Sequence, residues 1–231
     1  MTIWLDSPLL GFDTETTGVN PTSDRVVTAA LVMRDRAGTR HRTWLIDPGV
    51  EIPEGATAIH GISTERARAE GQAPAVALEE IAGYITQAIS HRIPVVAFNA
   101  GFDLQILDSD LARHGLPTLP QRLGGPVRPV IDPLVLDRAV DRYRKGKRTL
   151  SHLCEVYGVK PERLHTAEVD VVATLDVLAA LARRHGPVLA EMDLLQLHDY
   201  QVTAHRAWAQ NFREWLASKG GAGGPELTWP Y

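Results

Sequence analysis

The first quarter of the chain alternates short apolar runs with polar clusters, as β-strands do. Three such runs lie at residues 9–12, 26–33 and 42–46, and a turn-like segment at 35–38 separates the last two. Strands joined by connections this short tend to pair with their neighbours in sequence, so the region is predicted to form an antiparallel meander.

The periodicity changes after about residue 75. Leu78, Ile81, Ile85 and Ile89 recur at intervals of three and four, which predicts an amphipathic helix over residues 76–89. The proline-rich and glycine-rich stretch 117–129 is predicted to be a loop. The same reasoning predicts strands at 94–98 and 130–131 and helices at 102–114, 133–143, 149–157 and 166–185. A meander followed by alternating helices and strands indicates a mixed α/β layered fold.

The C-terminal part has a different pattern. Apolar and aromatic residues recur through 193–218, including Trp208, Phe212 and Trp215, and predict one long amphipathic helix. Its aromatic residues either pack on the main domain or face a partner. A glycine-rich, flexible segment follows. We therefore divide the chain into a main domain (1–190), a C-terminal helix (191–219) and a flexible tail (220–231).

Composition limits the possible functions. The 231 residues carry a net charge of −4, with 44% hydrophobic and 23% charged residues, which is typical of a soluble globular protein. This balance argues against a polybasic nucleic-acid binder. The single cysteine, Cys154, excludes an internal disulfide and favours a reducing cytoplasm. No basic region followed by an apolar stretch opens the sequence, and no apolar run approaches the roughly 18 residues of a membrane span. We expect a cytoplasmic protein without a membrane partner.

Two carboxylates end the first predicted strand. Asp13 and Glu15 stand two residues apart, so their side chains lie on the same side of a sheet, and no Lys or Arg lies within three positions of either. Such carboxylates repel each other unless a cation or a shared proton intervenes. Mg²⁺ is bound in this way in many proteins. A solvated strand end or a helix cap is the alternative.

Two further positions carry candidate chemistry. Asp103 follows a predicted buried strand where a helix begins, at the sheet edge where ligands gather in α/β folds; its alternative role is a helix cap. His165 precedes a predicted helix that carries Asp170 in its first turns. A histidine beside metal-binding carboxylates can accept a proton from water near neutral pH, whereas an isolated surface histidine is the alternative.

The order and surroundings of these residues resemble the three exonuclease motifs of the DEDDh family. Residues 12–18, Phe-Asp-Thr-Glu-Thr-Thr-Gly, are similar to the first motif, and residues 99–103, Asn-Ala-Gly-Phe-Asp, to the second. The spacing of His165 and Asp170 is that of the third. Segments 48–53 and 58–62 resemble proofreading epsilon subunits of bacterial DNA polymerase III, although Phe98 stands where many of those sequences carry histidine.

The resemblance implies a ribonuclease H-like fold and removal of nucleotides in the 3′-to-5′ direction by a two-metal mechanism. It implies that Asp13, Glu15 and Asp170 bind the first of two Mg²⁺ or Mn²⁺ ions. Asp13 would also hold the second ion, and Asp103 would act directly or through water. His165 would be the general base.

Substrate contacts are assigned to five residues, namely Thr14, Thr16, His60, Asn99 and Phe102. In relatives, the two threonines and the backbone near them would cradle the terminal nucleotide. Phe102 either stacks against a base or belongs to the core. Asn99 either binds phosphate or fixes the turn. His60 either approaches the terminal nucleotide or makes a structural hydrogen bond.

Taken together, these features predict a metal-dependent exonuclease acting on single-stranded or frayed 3′ ends of DNA in proofreading or repair. A DNA polymerase subunit is a candidate partner. The alternatives are a stand-alone exonuclease for RNA or single-stranded nucleic acid, and a weakly active domain that binds a partner. The basic run 142–148 holds five cationic residues in seven. It either steers a phosphate backbone or forms a solvated loop.

Overall fold

Five strands form one mixed sheet in a computed structural model that describes residues 3–161, 166–189 and 191–231. The strands are β1 Leu9–Thr16, β2 Val26–Asp35, β3 Gly38–Leu45, β4 Val95–Val96 and β5 Val130–Ile131. Their order in the sheet is β3-β2-β1-β4-β5. The first three strands pair antiparallel, whereas β4 pairs parallel with β1 and β5 parallel with β4. The predicted meander and the mixed α/β class are confirmed.

Helices cover both faces of this sheet. In the described ranges they are α1 Glu54–His60, α2 Thr64–Glu70, α3 Pro74–Ser90, α4 Ala100–Arg113, α5 Leu119–Leu123, α6 Pro133–Val140, α7 Leu150–Tyr157, α8 Ala167–Arg184, α9 Gly186–Leu189 and α10 Leu194–Ser218. A 3₁₀ turn at Ile3–Asp6 precedes β1. Among the helices that the structure describes, none combines the length and the apolar character of a bilayer span.

Pattern reasoning missed the short helices. The stretch 117–129 is not entirely a loop, because it contains α5, whose first turn is fixed by a reciprocal capping box between Thr118 and Gln121. Helices α1 and α2 were also not predicted. Helix α1 has no buried residue, so its sequence shows no apolar periodicity. These helices are defined by their caps more than by apolar periodicity.

The two faces of β1 pack against different helices. Leu10 and Phe12 point into a core shared with α3 and α4, and Leu9 points into a second core shared with α8. Gly11 lies on the α8 side, where a Cβ atom would stand 2.3 Å from Cγ1 of Val171. Only glycine therefore lets α8 approach β1 this closely, and that approach brings the N-terminal end of α8 to the carboxyl end of β1.

The C-terminal helix packs on the main domain. Gln201 of α10 is fully buried; its Nε2 donates to the carbonyl of Val130 at 3.0 Å, and its Oε1 accepts the N–H of Asp132 at 2.7 Å. The last residues of the chain return to this region. Trp229 is buried, with its ring 5.2 Å from that of His198. The long helix is thus anchored through the edge strand β5.

Candidate active site

Three carboxylates meet at the carboxyl end of β1. Asp13 and Glu15 point to the same side of that strand, and Asp170 lies in the first turn of α8. One oxygen atom from each of the three lies within 4.8 Å of the other two. The structure therefore brings together three of the four acids for which metal binding was predicted. We refer to Asp13, Glu15 and Asp170 as the acidic cluster.

Burial and mutual repulsion shift the proton affinities of this cluster. Burial raises the pKa of Asp13 well above its usual value, and the negative charges of Asp103, Asp170 and Glu15 raise it further. Burial, with the charge of Asp170 added, raises the pKa of Glu15 to about 7. No salt bridge between described residues involves Asp13 or Glu15. A divalent cation would relieve this repulsion, and the carboxylate oxygens are ligands that Mg²⁺ and Mn²⁺ accept.

Asp103 stands behind the acidic cluster. It is 3% exposed, and its Oδ1 accepts hydrogen bonds from the backbone N–H of Thr14 at 3.0 Å and from its hydroxyl at 2.7 Å. Burial raises the pKa of Asp103 to about 7 although both Thr14 contacts oppose the shift. Among the described residues, the close group of three acids does not include Asp103. Its contacts hold β1 in place between Asp13 and Glu15, and its role as a ligand stays a prediction.

The predicted substrate residues on β1 and α1 lie beside the cluster. The Thr14 hydroxyl is engaged by Asp103, and the Thr16 hydroxyl donates to the carbonyl of Gly18 at 2.6 Å. Nδ1 of His60 accepts the N–H of Ile62 at 3.1 Å, and burial lowers the pKa of the imidazole. A cavity of about 280 Å³ is lined by Glu15 and His60 among others. Both interpretations of His60 therefore remain: its ring makes a local hydrogen bond and also borders this cavity.

The other two predicted substrate residues lie at the start of α4. Asn99 adopts the left-handed conformation with φ of 62°, and its backbone N–H donates to Asp132 at 3.1 Å. Its backbone belongs to the turn that Asp132 holds, and the binding of phosphate by its side chain stays a prediction. Phe102 is half-buried against the core and also lines a cavity of about 220 Å³ with Trp229.

His165, the predicted general base, lies outside the described residues, as do residues 162–164. The structure resumes at Thr166, the N-cap residue of α8.

Sequence reasoning did not single out Asp132. This buried carboxylate accepts the N–H groups of Asn99, Ala100 and Leu134 at 3.1, 3.0 and 2.9 Å and so fixes the turn that leads into α4. A signal was available, because Asp132 is followed by Pro133 and then by an apolar run, and this order is typical of a helix start.

Comparison with protein families gives one broad match. A family model, RNase_T, described as an exonuclease, matches residues 10–178. That range includes most of β1 and of α8, the two elements that carry the acidic cluster.

Comparisons with individual proteins find similarity to DNA polymerase III proteins. The chain is 30% identical over 189 residues to a DNA polymerase III of PolC type from Lacticaseibacillus paracasei, covering 81% of this chain and 12% of that protein. It is 36% identical over 196 residues to a DNA polymerase III subunit epsilon-like protein from Rhodobacter capsulatus, covering 78% of this chain and 26% of that protein. The chain thus spans only a minor part of the curated relatives that it matches.

Solved structures share the fold. Exonuclease I of E. coli in complex with a dA16 oligonucleotide superposes with a TM-score of 0.65 and 22% identity, over 87% of this chain and 44% of that one. The zinc-bound form of the same enzyme with single-stranded DNA gives a TM-score of 0.67 and 23% identity, over 87% and 43%. These likenesses confirm the predicted ribonuclease H-like exonuclease fold.

Proposed function

Since the chain belongs to the RNase_T exonuclease family, we propose that it is a metal-dependent exonuclease that removes nucleotides from the 3′ ends of DNA. The observation that carries this proposal is the acidic cluster, in which one oxygen atom from each of three carboxylates lies within 4.8 Å of the other two. Repulsion of this kind costs folding free energy. Divalent cations bound at the site would offset this cost, because they neutralise the carboxylate charges.

The acidic cluster suits a hard divalent ion. Asp13, Glu15 and Asp170 would hold Mg²⁺ or Mn²⁺, and Asp103, whose charge raises the pKa of Asp13, would contribute to a second ion directly or through water. When bound, two such ions supply charge stabilisation at phosphorus and lower the pKa of the attacking water. The oxygen-only donor set is the type that these ions prefer.

Other residues would bind the substrate and move the proton. His165 would accept a proton from the attacking water. His60 would face the terminal nucleotide from α1, and Phe102 would stack on a base from α4. The β1 backbone, held by the hydrogen bonds from Thr14 to Asp103, would cradle the end of the strand.

We place the activity in DNA proofreading or repair. The relatives named PolC-type polymerase and epsilon-like subunit support a link to DNA synthesis, and a DNA polymerase subunit is the partner that we propose. The likeness to exonuclease I, which was solved with single-stranded oligonucleotides, supports a single-stranded or frayed 3′ end as substrate.

A direct assay tests this function. DNA oligonucleotides labelled at the 5′ end, either single-stranded, 3′-mismatched or fully paired, are incubated with Mg²⁺ or Mn²⁺, with EDTA as the metal-free control. We expect a ladder that shortens from the 3′ end, fastest on single-stranded and mismatched ends, and no ladder in EDTA. Single-stranded RNA in the same assay reports on the choice between DNA and RNA.

Two variants assign the activity to the site. Asp13→Asn should abolish the ladder while the protein stays folded, whereas Asp6→Asn, an exposed aspartate before β1, should behave as wild type. Metal-dependent cleavage that persists in Asp13→Asn would overturn the site. Release of the 5′ label as a mononucleotide would show degradation from the 5′ end and would overturn the proposed 3′-to-5′ direction. A folded, metal-loaded protein that cleaves no substrate would favour the partner-binding alternative.

A further inference from the structure

Another cavity lies between α6, the basic run 142–148 and α10. None of the acids of the acidic cluster lines it. Its volume is about 310 Å³, at the lower end of the roughly 300–1,000 Å³ of small-ligand sites. Arg138, Arg142, Tyr143 and Trp208 contribute to its lining. The combination of guanidinium groups with aromatic rings suits phosphates joined to planar bases.

Arg138 is the inner cation of this cavity. It is half-buried, and its guanidinium carbon lies 3.8 Å from the centre of the Trp208 ring. None of the hydrogen bonds or salt bridges between described residues uses its N–H groups. A guanidinium has five N–H donors, and phosphate oxygens are among their best acceptors. Arg138 therefore presents a fixed cation with unused donors to the cavity.

The basic run divides into two kinds of arginine. Arg144 and Arg148 both donate to the buried carboxylate of Asp137, the former at 2.7 Å, so they anchor the run to α6. Arg142 is exposed and forms no salt bridge with a described residue. Its nearest aromatic partner is Tyr143, which is 86% exposed. The anchored pair thus holds a free cation at the rim of the cavity.

An aromatic row continues from the cavity along α10. The ring centres of Trp208 and Phe212 are 5.8 Å apart, and those of Phe212 and Trp215 are 5.6 Å apart. Phe212 is 38% exposed and Trp215 54% exposed. Exposed rings beside cations form the stacking platforms on which proteins bind single-stranded nucleic acid.

This region is connected to the catalytic edge of the sheet. Arg138 also lines the smaller cavity that contains Asn99 and Phe102. Asp132, which holds the N–H of Asn99, is the N-cap residue of α6, and Arg138 lies about 9 Å further along that helix. Arg138 therefore borders both this cavity and the one at the start of α4, the helix whose Asp103 holds β1 beside the acidic cluster.

We propose that the α6–α10 surface, formed by Arg138, Arg142, Trp208, Phe212 and Trp215, binds the single-stranded part of the substrate upstream of the 3′ end. Its arginines hold backbone phosphates, and its exposed rings stack on bases. This inference rests on the proposed function, which it extends from the terminal nucleotide to a longer strand. The charge of the two arginines, and the place of Arg138 in the cavity that Asn99 and Phe102 also line, favour nucleic acid over a protein partner.

The test compares oligonucleotides of two lengths. Binding of fluorescein-labelled dT20 and dT3 is followed by anisotropy in EDTA, so that no cleavage occurs, with the wild type and the double variant Arg142→Gln/Trp215→Ala. Both side chains are exposed, and thermal unfolding confirms that the variant folds. We expect the preference for dT20 over dT3 to fall about fivefold or more, the effect of losing one stacked base. The slope of log Kd against log salt should fall by about 0.7 for each phosphate that the variant no longer binds.

Arg36→Gln serves as the matched control, because Arg36 is an exposed arginine in the turn between β2 and β3, at the other end of the sheet. It should keep the wild-type preference. An unchanged preference in the double variant overturns the proposal, as does equal weakening of dT20 and dT3. A change in self-association without a change in dT20 binding also overturns it and indicates a protein interface. Cleavage of dT20 by the wild type with Mg²⁺, measured in parallel, shows separately whether the proposed function itself fails.

Discussion

Two sets of acids in this protein, the half-buried acidic cluster and the fully buried Asp137, differ in their partners. In the acidic cluster, Asp13 and Glu15 face other carboxylates, and each has a raised pKa for which burial is the largest cause. Far along the chain, on α6, Asp137 is fully buried but accepts hydrogen bonds from the guanidinium groups of Arg144 and Arg148 and from the hydroxyl of Tyr157 at 2.8 Å.

The comparison shows that burial alone does not distinguish the acids of the candidate site from acids that hold the fold together. Asp132, like Asp137, is buried, and three backbone N–H groups saturate its carboxylate. Removing such an acid leaves buried donors or cations without a partner, which destabilises the fold. Carboxylates that are buried together without cationic partners are costly to the fold, and strongly shifted acids of this kind are concentrated at functional sites. The informative property is therefore the sign of the neighbouring charge.

The largest expected effect comes from removing a charge in the acidic cluster. Glu15→Gln should lower kcat/KM for single-stranded DNA about 10³-fold or more, roughly 4 kcal/mol of transition-state stabilisation. In EDTA at about pH 8, where Glu15 is ionised, the same variant should unfold at a higher temperature than wild type, because one repulsive charge is gone. Steady-state kinetics and calorimetry on one preparation measure both. Loss of activity together with a lower Tm would show that Glu15 stabilises the fold and would contradict the contrast.

For Asp137, whose carboxylate is paired with two arginines, removal is expected to destabilise the fold. Asp137→Ala leaves Arg144 and Arg148 without their shared carboxylate and should cost about 3–5 kcal/mol of unfolding free energy. For a chain of this size that corresponds to a fall in Tm of about 2–4 °C for each kcal/mol. The matched control is Asp199→Ala, which removes an exposed carboxylate paired with Arg128 and should cost less than about 1 kcal/mol. Denaturant titration measures both, and equal losses would contradict the prediction.

The smallest effect is the pH dependence of the metal-free protein. The pKa of Glu15 is raised from 4.5 to about 7, so the folded state holds this proton more tightly than the unfolded state. The associated stability is complete below pH 4.5 and is lost as the pH rises through 7. In EDTA the Tm should therefore fall by a few degrees between about pH 5 and about pH 8, and the fall should be smaller in Glu15→Gln.

Metal addition completes that experiment. Mg²⁺ at about pH 8 should recover the lost stability in the wild type, because a cation replaces the protons that the cluster has released. At about pH 5, where Glu15 already holds its proton, the same concentration should have a smaller effect. A gain from Mg²⁺ that is equal at both pH values would contradict this assignment.

Much of the fold was predictable because its signals are local. The long helix was predicted over residues 193–218, and α10 spans Leu194–Ser218 with Asp193 as its N-cap. Strand β1 was predicted only to residue 12, yet it extends to Thr16 because its pairing with β2 continues past the last apolar residue. Apolar runs therefore underestimate the length of a strand that ends in polar side chains.

For the candidate site, the structure supports the prediction that Asp13, Glu15 and Asp170 lie close together. Its acids come from short motifs, so the sequence indicates them directly. The hydrogen bond from Thr14 to Asp103 joins residues 89 positions apart, and the stacking of Arg138 on Trp208 joins α6 to α10. No local pattern encodes such contacts. They depend on how the helices pack on the sheet, and only the structure reveals them.

The glycine in the middle of β1 has a consequence for how this protein can evolve. Because a Cβ at Gly11 would meet Val171, the residue next to Asp170, any larger side chain displaces the helix that carries one member of the acidic cluster. The placement of Asp170 thus depends on an interior position that carries no side chain. A larger residue at Gly11 would therefore require a compensating change on α8, such as a smaller residue in place of Val171.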